Sequence, residues 1–295
     1  MEFARRIGQN PQNFGKKLIR DTVTLEELKQ IADVMEVPFE QSSIFPDREQ
    51  IKTSNGEAVS SMDTVDLIIK SSTEFYNDLK VDENGRYRSW EHCYSHFIKA
   101  RGSQEIDYDY LSLQLAFYLA SWGMYRGSSF LLQKDYKVHI PVVKELLNEK
   151  YDILAGIDCI GFKDDSNQKL LQDINSFLEQ YYDKIRHKVK GQELKNQLSF
   201  TLITKILMGT LGCVPAYDRY FIAGIKNQKV VTGNYNLKSI MQLVDFYEKN
   251  YARFEPVREK MKVEGMPYPQ MKMIDMGFWQ VGLELDTNKR IQTAH

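Results

Sequence analysis

Long apolar runs and cysteines are both scarce in this 295-residue sequence. No stretch of about 18 consecutive apolar residues occurs, which argues against a membrane-spanning helix. The start of the chain, from Met1 to Arg6, lacks the apolar core of a signal peptide. Its three cysteines, Cys93, Cys159 and Cys213, are too scattered for a disulfide framework. We therefore expect a soluble cytoplasmic protein that does not contact a membrane.

An excess of one charge is also lacking, because 39 Lys and Arg residues face 40 Asp and Glu residues. This balance excludes a protein that is coated with basic surface for nucleic acid along its whole length. An aromatic content of 12%, with only 8 prolines, argues against disorder. The charge is unevenly distributed, since residues 1–20 carry +4 and residues 21–51 carry −6. We expect a small N-terminal module with two different faces.

The hydrophobic pattern divides the chain into three segments. Residues 1–53 contain three short helical patterns followed by a strand–turn–strand pattern. Residues 54–61 are small and polar, as in a linker, and residues 62–295 are dominated by apolar positions at helical spacing. Within the third segment the pattern predicts a helix capped by Asp63 and further helical segments at 90–98, 111–132, 141–151, 167–188, 198–211 and 237–254.

A resemblance refines the first segment. Residues 3–51, which read FARRIGQNPQNFGKKLIRDTVTLEELKQIADVMEVPFEQSSIFPDREQI, resemble a Cro/repressor-type helix-turn-helix domain without its first helix. The resemblance implies a recognition helix at 11–18 and duplex DNA as a partner of residues 1–20. The candidate DNA-contacting residues are Gln12, Asn13, Lys16, Lys17 and Arg20. The alternative is a former DNA-binding unit that now serves packing or dimerisation. The predicted fold class is mainly α, a truncated helix-turn-helix module with a short β-hairpin followed by a larger helical domain.

A second resemblance covers about residues 65–282. The stretches 82–94, 119–136, 201–219 and 271–280 resemble a group of uncharacterised proteins carried by bacteria, prophages and phages. The chain is also similar in size to phage inhibitors of the Gabija defence complex, which bind that nuclease complex as an oligomeric shell. These resemblances imply a protein partner, self-association and the cytoplasm of a host cell, and they imply no chemistry.

One short motif suggests catalysis instead. Arg86 and His92 fit an R-x(4–6)-H spacing that resembles the motif of HEPN ribonucleases. That resemblance implies that the arginine stabilises phosphate charge while the histidine transfers a proton. Tyr87 follows the arginine, however, where that family usually has a polar residue such as Asn. The alternative is an ordinary helix start, with Trp90 in the core and His92 hydrogen-bonded.

Metal and phosphate sites are weakly indicated. His92 and His96 are spaced to share one helix face, but a third ligand is not evident, so we predict no metal and no cofactor. The glycines of the stretch 126–129 and of the stretch 209–212 could admit a phosphate near backbone amides. Close packing of helices is the alternative, and no nucleotide-binding glycine motif or nucleophile motif is present.

Several charged residues lie among apolar ones and therefore need partners if they are buried. With Trp90, they form a candidate structural network or pocket: Arg126, Asp135, Asp218, Arg219 and Asp275. The function predicted from the sequence is non-catalytic binding of a macromolecular partner by an oligomer in phage–host conflict. The protein would be an anti-defence inhibitor or a DNA-binding regulator, and the alternative is a HEPN-like ribonuclease using Arg86 and His92.

Overall fold

The computed structural model describes residues 62–127, 129–187 and 198–293. The predicted helix-turn-helix module, hairpin, linker and DNA-contacting residues lie outside the described residues. Helices make up most of the described part, which confirms the predicted mainly α class. No helix in this part is long and apolar enough to cross a membrane.

The first helix, α1 (Thr64–Val81), begins where the sequence predicts. The side chain of Asp63 accepts hydrogen bonds from the backbone N–H groups of Val65 and Asp66 and thus caps the helix. Its buried face includes Ile68 and Phe75, which are two turns apart. The remaining helices are α2 (Ser89–Ala100), α3 (Tyr108–Ser121), α4 (Ile140–Leu146), α5 (Asp165–His187), α6 (Phe200–Thr210), α7 (Arg219–Asn227), α8 (Leu237–Lys249), α9 (Tyr251–Arg258) and α10 (Gln270–Thr293).

Short 3₁₀ turns connect several of these helices. They comprise Arg86–Arg88, Phe130–Gln133, Tyr136–His139, Glu149–Leu154 and Cys159–Lys163. A small antiparallel hairpin pairs β1 (Lys262–Val263) with β2 (Met266–Pro267). Both residues of its turn, Glu264 and Gly265, have positive φ, as the favoured two-residue hairpin turn requires. This hairpin was not predicted.

Three helix predictions are wrong in length. The segment 141–151 was expected to be one helix, but α4 ends at Leu146. The segment 111–132 was expected to be one helix, but α3 ends at Ser121. Gly123 follows with φ 79°, in the left-handed region that favours glycine and ends helices. The segment 237–254 is split into α8 and α9 at Asn250, where φ of −117° departs from helical geometry.

Helix α10 organises the part of the fold that carries the candidate site. It runs antiparallel to α7, and two glycines permit their close approach. A Cβ atom on Gly224 would lie 2.0 Å from the carbonyl oxygen of Phe278, and one on Gly282 would lie 1.9 Å from that of Tyr220. The opposite side of α10 meets α1, where Gly277 packs on Ile68. The N-terminal half of α10 is therefore enclosed, and every residue from 270 to 282 is buried.

Candidate functional site

Two buried lysine–aspartate pairs lie where α6, α7 and α10 meet. Lys205 of α6 is 1% exposed, and its Nζ is 2.9 Å from Oδ2 of Asp218. Asp218 caps α7, since its Oδ1 accepts hydrogen bonds of 3.1 Å from the backbone N–H groups of Tyr220 and Phe221. One carboxylate thus starts a helix and neutralises a buried ammonium group.

The second pair lies within α10. Lys272 is 2% exposed, and its Nζ is 3.0 Å from Oδ2 of Asp275, one turn further along the helix. Oδ1 of Asp275 accepts a 2.9 Å hydrogen bond from the backbone N–H of Ala216. This bond ties α10 to the segment between α6 and α7. We call Lys205, Asp218, Lys272 and Asp275 the charged cluster.

Aromatic rings surround both ammonium groups. The Nζ of Lys205 lies 4.7 Å from the ring centre of Trp122, and the Nζ of Lys272 lies 4.8 Å from that of Trp90. Attraction to the negative ring faces offsets part of the cost of removing these charges from water. The indole N–H of Trp279 donates to Oδ2 of Asp218 at 3.3 Å. All three tryptophans of the chain therefore border the charged cluster.

The charged cluster is closely packed. The recess lined by Tyr118, Trp122, Trp279 and the four charged residues leaves no room for a water molecule. The four carboxylate oxygens each accept a hydrogen bond, whereas the buried indole N–H of Trp122 has no partner within the described residues. This geometry is that of a structural support and not of a preformed cavity for a ligand.

A row of aromatic and arginine side chains lies beside the charged cluster. Trp279 is at its centre, with ring-centre distances of 5.6 Å to Tyr87 and 5.3 Å to Tyr220. Each tyrosine carries an arginine guanidinium on its ring, that of Arg86 on Tyr87 at 4.6 Å and that of Arg219 on Tyr220 at 4.3 Å. We call these five residues the arginine–aromatic row.

Both arginines of the row are exposed and held in place. Arg86 donates a 2.7 Å hydrogen bond to the hydroxyl of Tyr87, and Arg219 donates a hydrogen bond to the hydroxyl of Tyr220. Neither forms an ion pair with a carboxylate anywhere in the described ranges. Arg126 is likewise exposed and folds over Gly123, next to Trp122. The surface therefore presents positive charge that the described part of the chain leaves uncompensated.

The structure places the predicted network residues in different surroundings. Asp218 and Asp275 lie in the charged cluster, but their partners are Lys205 and Lys272 rather than Arg126 or Arg219. Trp90 lies against the charged cluster through Lys272. Asp135 is elsewhere, where its side chain accepts a hydrogen bond from the backbone N–H of Lys137. The two lysines were missed because an isolated lysine in a helical pattern usually lies at the surface.

Arg86 and His92, the candidate ribonuclease pair, are not joined. His92 is exposed on α2, and no hydrogen bond within the described residues links it to Arg86, which bonds to Tyr87 instead. Nearby, His96 makes a 3.0 Å hydrogen bond with the hydroxyl of Tyr110. Burial is the main factor that lowers the pKa of His96. Among the described residues, no three His, Cys, Asp or Glu side chains are grouped so that they could hold a metal ion.

A second polar site is fully internal. The ring of His139 is 0% exposed and lies between two tyrosine hydroxyls, 2.7 Å from that of Tyr125 and 2.6 Å from that of Tyr182. Burial lowers the pKa of His139 to about 3, so the imidazole is neutral at physiological pH. A neutral ring satisfied at both nitrogens is a structural link between α5 and the chain that follows α3.

A third polar site surrounds Glu255 of α9. Its carboxylate accepts hydrogen bonds from the hydroxyl of Tyr247 at 2.7 Å, from Gln270 at 2.9 Å and from the guanidinium of Arg258 at 2.6 Å. Burial acts to raise the pKa of Glu255, but the hydrogen bonds from Arg258 and Tyr247 outweigh it, and the pKa lies below its usual value. This network fixes α9 to the start of α10.

The three cysteines do not form a reactive site. Cys93, Cys159 and Cys213 are buried free thiols. Burial raises the pKa of all three, that of Cys213 to about 12, so the nucleophilic thiolate is disfavoured. We interpret them as small apolar core residues.

No family model, curated protein or solved structure matches this chain. The resemblances to helix-turn-helix domains, to phage proteins and to ribonucleases therefore stay predictions from the sequence.

Proposed function

We propose that this protein acts without catalysis by binding a protein partner, and that the arginine–aromatic row is the contact surface. The observation that carries this proposal is the uncompensated charge of Arg86 and Arg219 on a rigid aromatic support. Tyrosine, tryptophan and arginine are the residue types that contribute most binding energy at protein interfaces.

Preorganisation supports the same proposal. Each arginine is already stacked and hydrogen-bonded, so little side-chain entropy remains to be lost when a partner binds. The charged cluster beside the row gives little stability of its own, because a buried ion pair is often no more stable than apolar residues of similar volume. Its role in this proposal is to hold Trp279, the centre of the row, in a fixed position.

We further propose, from the resemblance to phage proteins, that the protein acts as an oligomer in phage–host conflict. Self-association would be seen in the native mass of the purified protein. DNA binding by residues 1–20 is a separate proposal, and it predicts salt-dependent duplex binding that weakens on Lys16→Ala plus Lys17→Ala.

The experiment is affinity capture from the cells in which the protein is naturally made. The full chain is compared with a variant that carries Arg86→Ala, Arg126→Ala and Arg219→Ala. A matched control, Lys238→Ala plus Lys249→Ala plus Lys260→Ala, removes three exposed positive charges elsewhere. We expect a protein that is retained by the natural chain and by the control but lost from the arginine variant.

Two results would contradict the proposal. One is capture that is the same for the natural chain and the arginine variant. The other is RNA cleavage by the pure protein that is abolished by His92→Ala or Arg86→Ala while folding is intact. The second result would establish the ribonuclease alternative.

A further inference from the structure

We infer that the partner presents acidic side chains, Asp or Glu, to the two arginines at the ends of the row. This inference rests on the proposed function and concerns the chemistry of the partner. A guanidinium has five N–H donors arranged in a planar fork that matches a carboxylate. Arg86 and Arg219 each donate one hydrogen bond to a tyrosine hydroxyl, so most of their N–H donors are available to a partner.

The surroundings of the row determine which anion fits. Phosphate groups of a nucleic acid also bind arginine, but they form a continuous line of charge that is normally met by a long basic track. Here residues 62–295 carry a formal charge of only +1, since residues 1–61 carry −2. Two exposed acidic residues, Asp82 and Glu83, also lie just before Arg86. A few localised carboxylates match this pattern better than a phosphate backbone does.

The aromatic rings argue against a single-stranded nucleic acid as well. Proteins that bind single strands offer open ring faces on which bases stack. Trp279 is only 4% exposed, and the rings of Tyr87 and Tyr220 are occupied by their own arginines. The rings thus orient the guanidinium groups and offer no platform for a base.

Three probes test this inference with the full chain: a fluorescent poly-L-glutamate of about 20 residues, a single-stranded oligothymidylate of the same length and a duplex of the same length. Anisotropy is measured at low and moderate salt. We expect poly-glutamate to bind more tightly than either nucleic acid. Arg86→Ala plus Arg219→Ala should weaken its binding by about tenfold, a few-fold for each exposed charge-assisted contact. The control Lys249→Ala plus Lys260→Ala should change it less than about twofold.

A charge-preserving variant separates fork geometry from charge. Arg86→Lys plus Arg219→Lys keeps both positive charges but loses the planar fork, so we expect it to weaken poly-glutamate binding nearly as much as the alanine variant. The inference would be overturned if Arg86→Ala plus Arg219→Ala and the control Lys249→Ala plus Lys260→Ala weakened poly-glutamate binding equally. Tighter, arginine-dependent binding of a nucleic acid would also overturn it. Absence of poly-glutamate binding would also overturn it.

Different results would contradict the proposed function and the inference that the partner is acidic. If a captured protein depends on the three arginines but excess poly-glutamate does not displace it, the row binds a protein and the acidic chemistry is wrong. If no captured protein depends on the arginines, the proposed function itself is wrong.

Discussion

Substitution of Lys272 by methionine tests whether the charged cluster is a structural support. Methionine has a similar length and no charge, so the change removes one ion-pair partner without creating a large cavity. Asp275, which is 4% exposed, would keep its hydrogen bond from the N–H of Ala216 but lose its counter-ion. Breaking a buried pair on one side costs roughly 3–5 kcal/mol, because a buried charge is left uncompensated. For a unit of this size that loss corresponds to a fall in melting temperature of roughly 10 °C.

A double variant separates the charge from the packing. Asp275→Asn keeps an oxygen that can accept the N–H of Ala216 but carries no charge. Lys272→Met plus Asp275→Asn should therefore be more stable than Lys272→Met alone by about 2 kcal/mol, because the double variant leaves no buried charge uncompensated. The matched control is Lys150→Met, which removes an exposed lysine 2.8 Å from Glu145 and should cost less than about 1 kcal/mol.

Urea unfolding followed by circular dichroism and by tryptophan fluorescence measures these differences. The fluorescence reports on the charged cluster itself, since Trp90, Trp122 and Trp279 all border it. Coincident transitions by the two probes would justify a two-state analysis. A loss below about 1 kcal/mol for Lys272→Met, or strictly additive effects in the double variant, would refute the view that this pair is buried and coupled.

Other substitutions test the helix contacts and the two internal polar sites. Gly224→Ala should cost at least about 2 kcal/mol, because the new methyl group would lie 2.0 Å from the carbonyl oxygen of Phe278 and force α7 from α10. Glu255→Gln should lower the melting temperature because it removes the counter-charge of the half-buried Arg258, at a cost of about 3 kcal/mol. His139, neutral in the fold with a pKa of about 3, should make the protein less stable as the pH falls from about 6.5, by up to about 1.4 kcal/mol per pH unit.

The sign of the pH effect follows from proton binding. Between pH 3 and 6.5 the unfolded chain protonates the imidazole whereas the folded chain does not, so acid favours unfolding. His139→Gln cannot titrate and should flatten this dependence in urea unfolding at pH 4, 5 and 6. An unchanged slope would exclude His139 as its source.

The control for Gly224→Ala is Ala223→Gly, which alters the same helix without adding an atom. If Gly224→Ala did not change the stability, the close contact between α7 and α10 would be contradicted.

Local sequence signals determined most of the helices. Asp63 is a good capping residue, and the apolar spacing that follows it places one face of α1 in the core, so both start and orientation could be predicted. The ends of α3 and α8 were missed because apolar residues continue past them. There the backbone departs from helical geometry at Gly123 and at Asn250, which periodicity does not detect.

The sequence identified only half of the charged cluster. Asp218 and Asp275 were singled out because they lie among apolar residues. Lys205 and Lys272 also have apolar neighbours in the sequence, but they were passed over because a lysine in a helical pattern usually lies at the surface. Their burial depends on partners that include Trp122 and Trp90, far away in the chain. A lysine is buried only where a carboxylate and ring faces converge on it, and that convergence is a property of packed helices.

The arginine–aromatic row also depends partly on the sequence and partly on the tertiary structure. The sequence by itself determined a mainly α chain and gave no reason to connect Arg86 with Arg219, which are more than 130 positions apart. The tertiary structure decided their relation, because close packing of α7 on α10 brings Tyr220 to Trp279, and the turn before α2 brings Tyr87 to the same ring. Helix formation is governed by neighbours in the chain, whereas a binding surface is governed by which helices pack together.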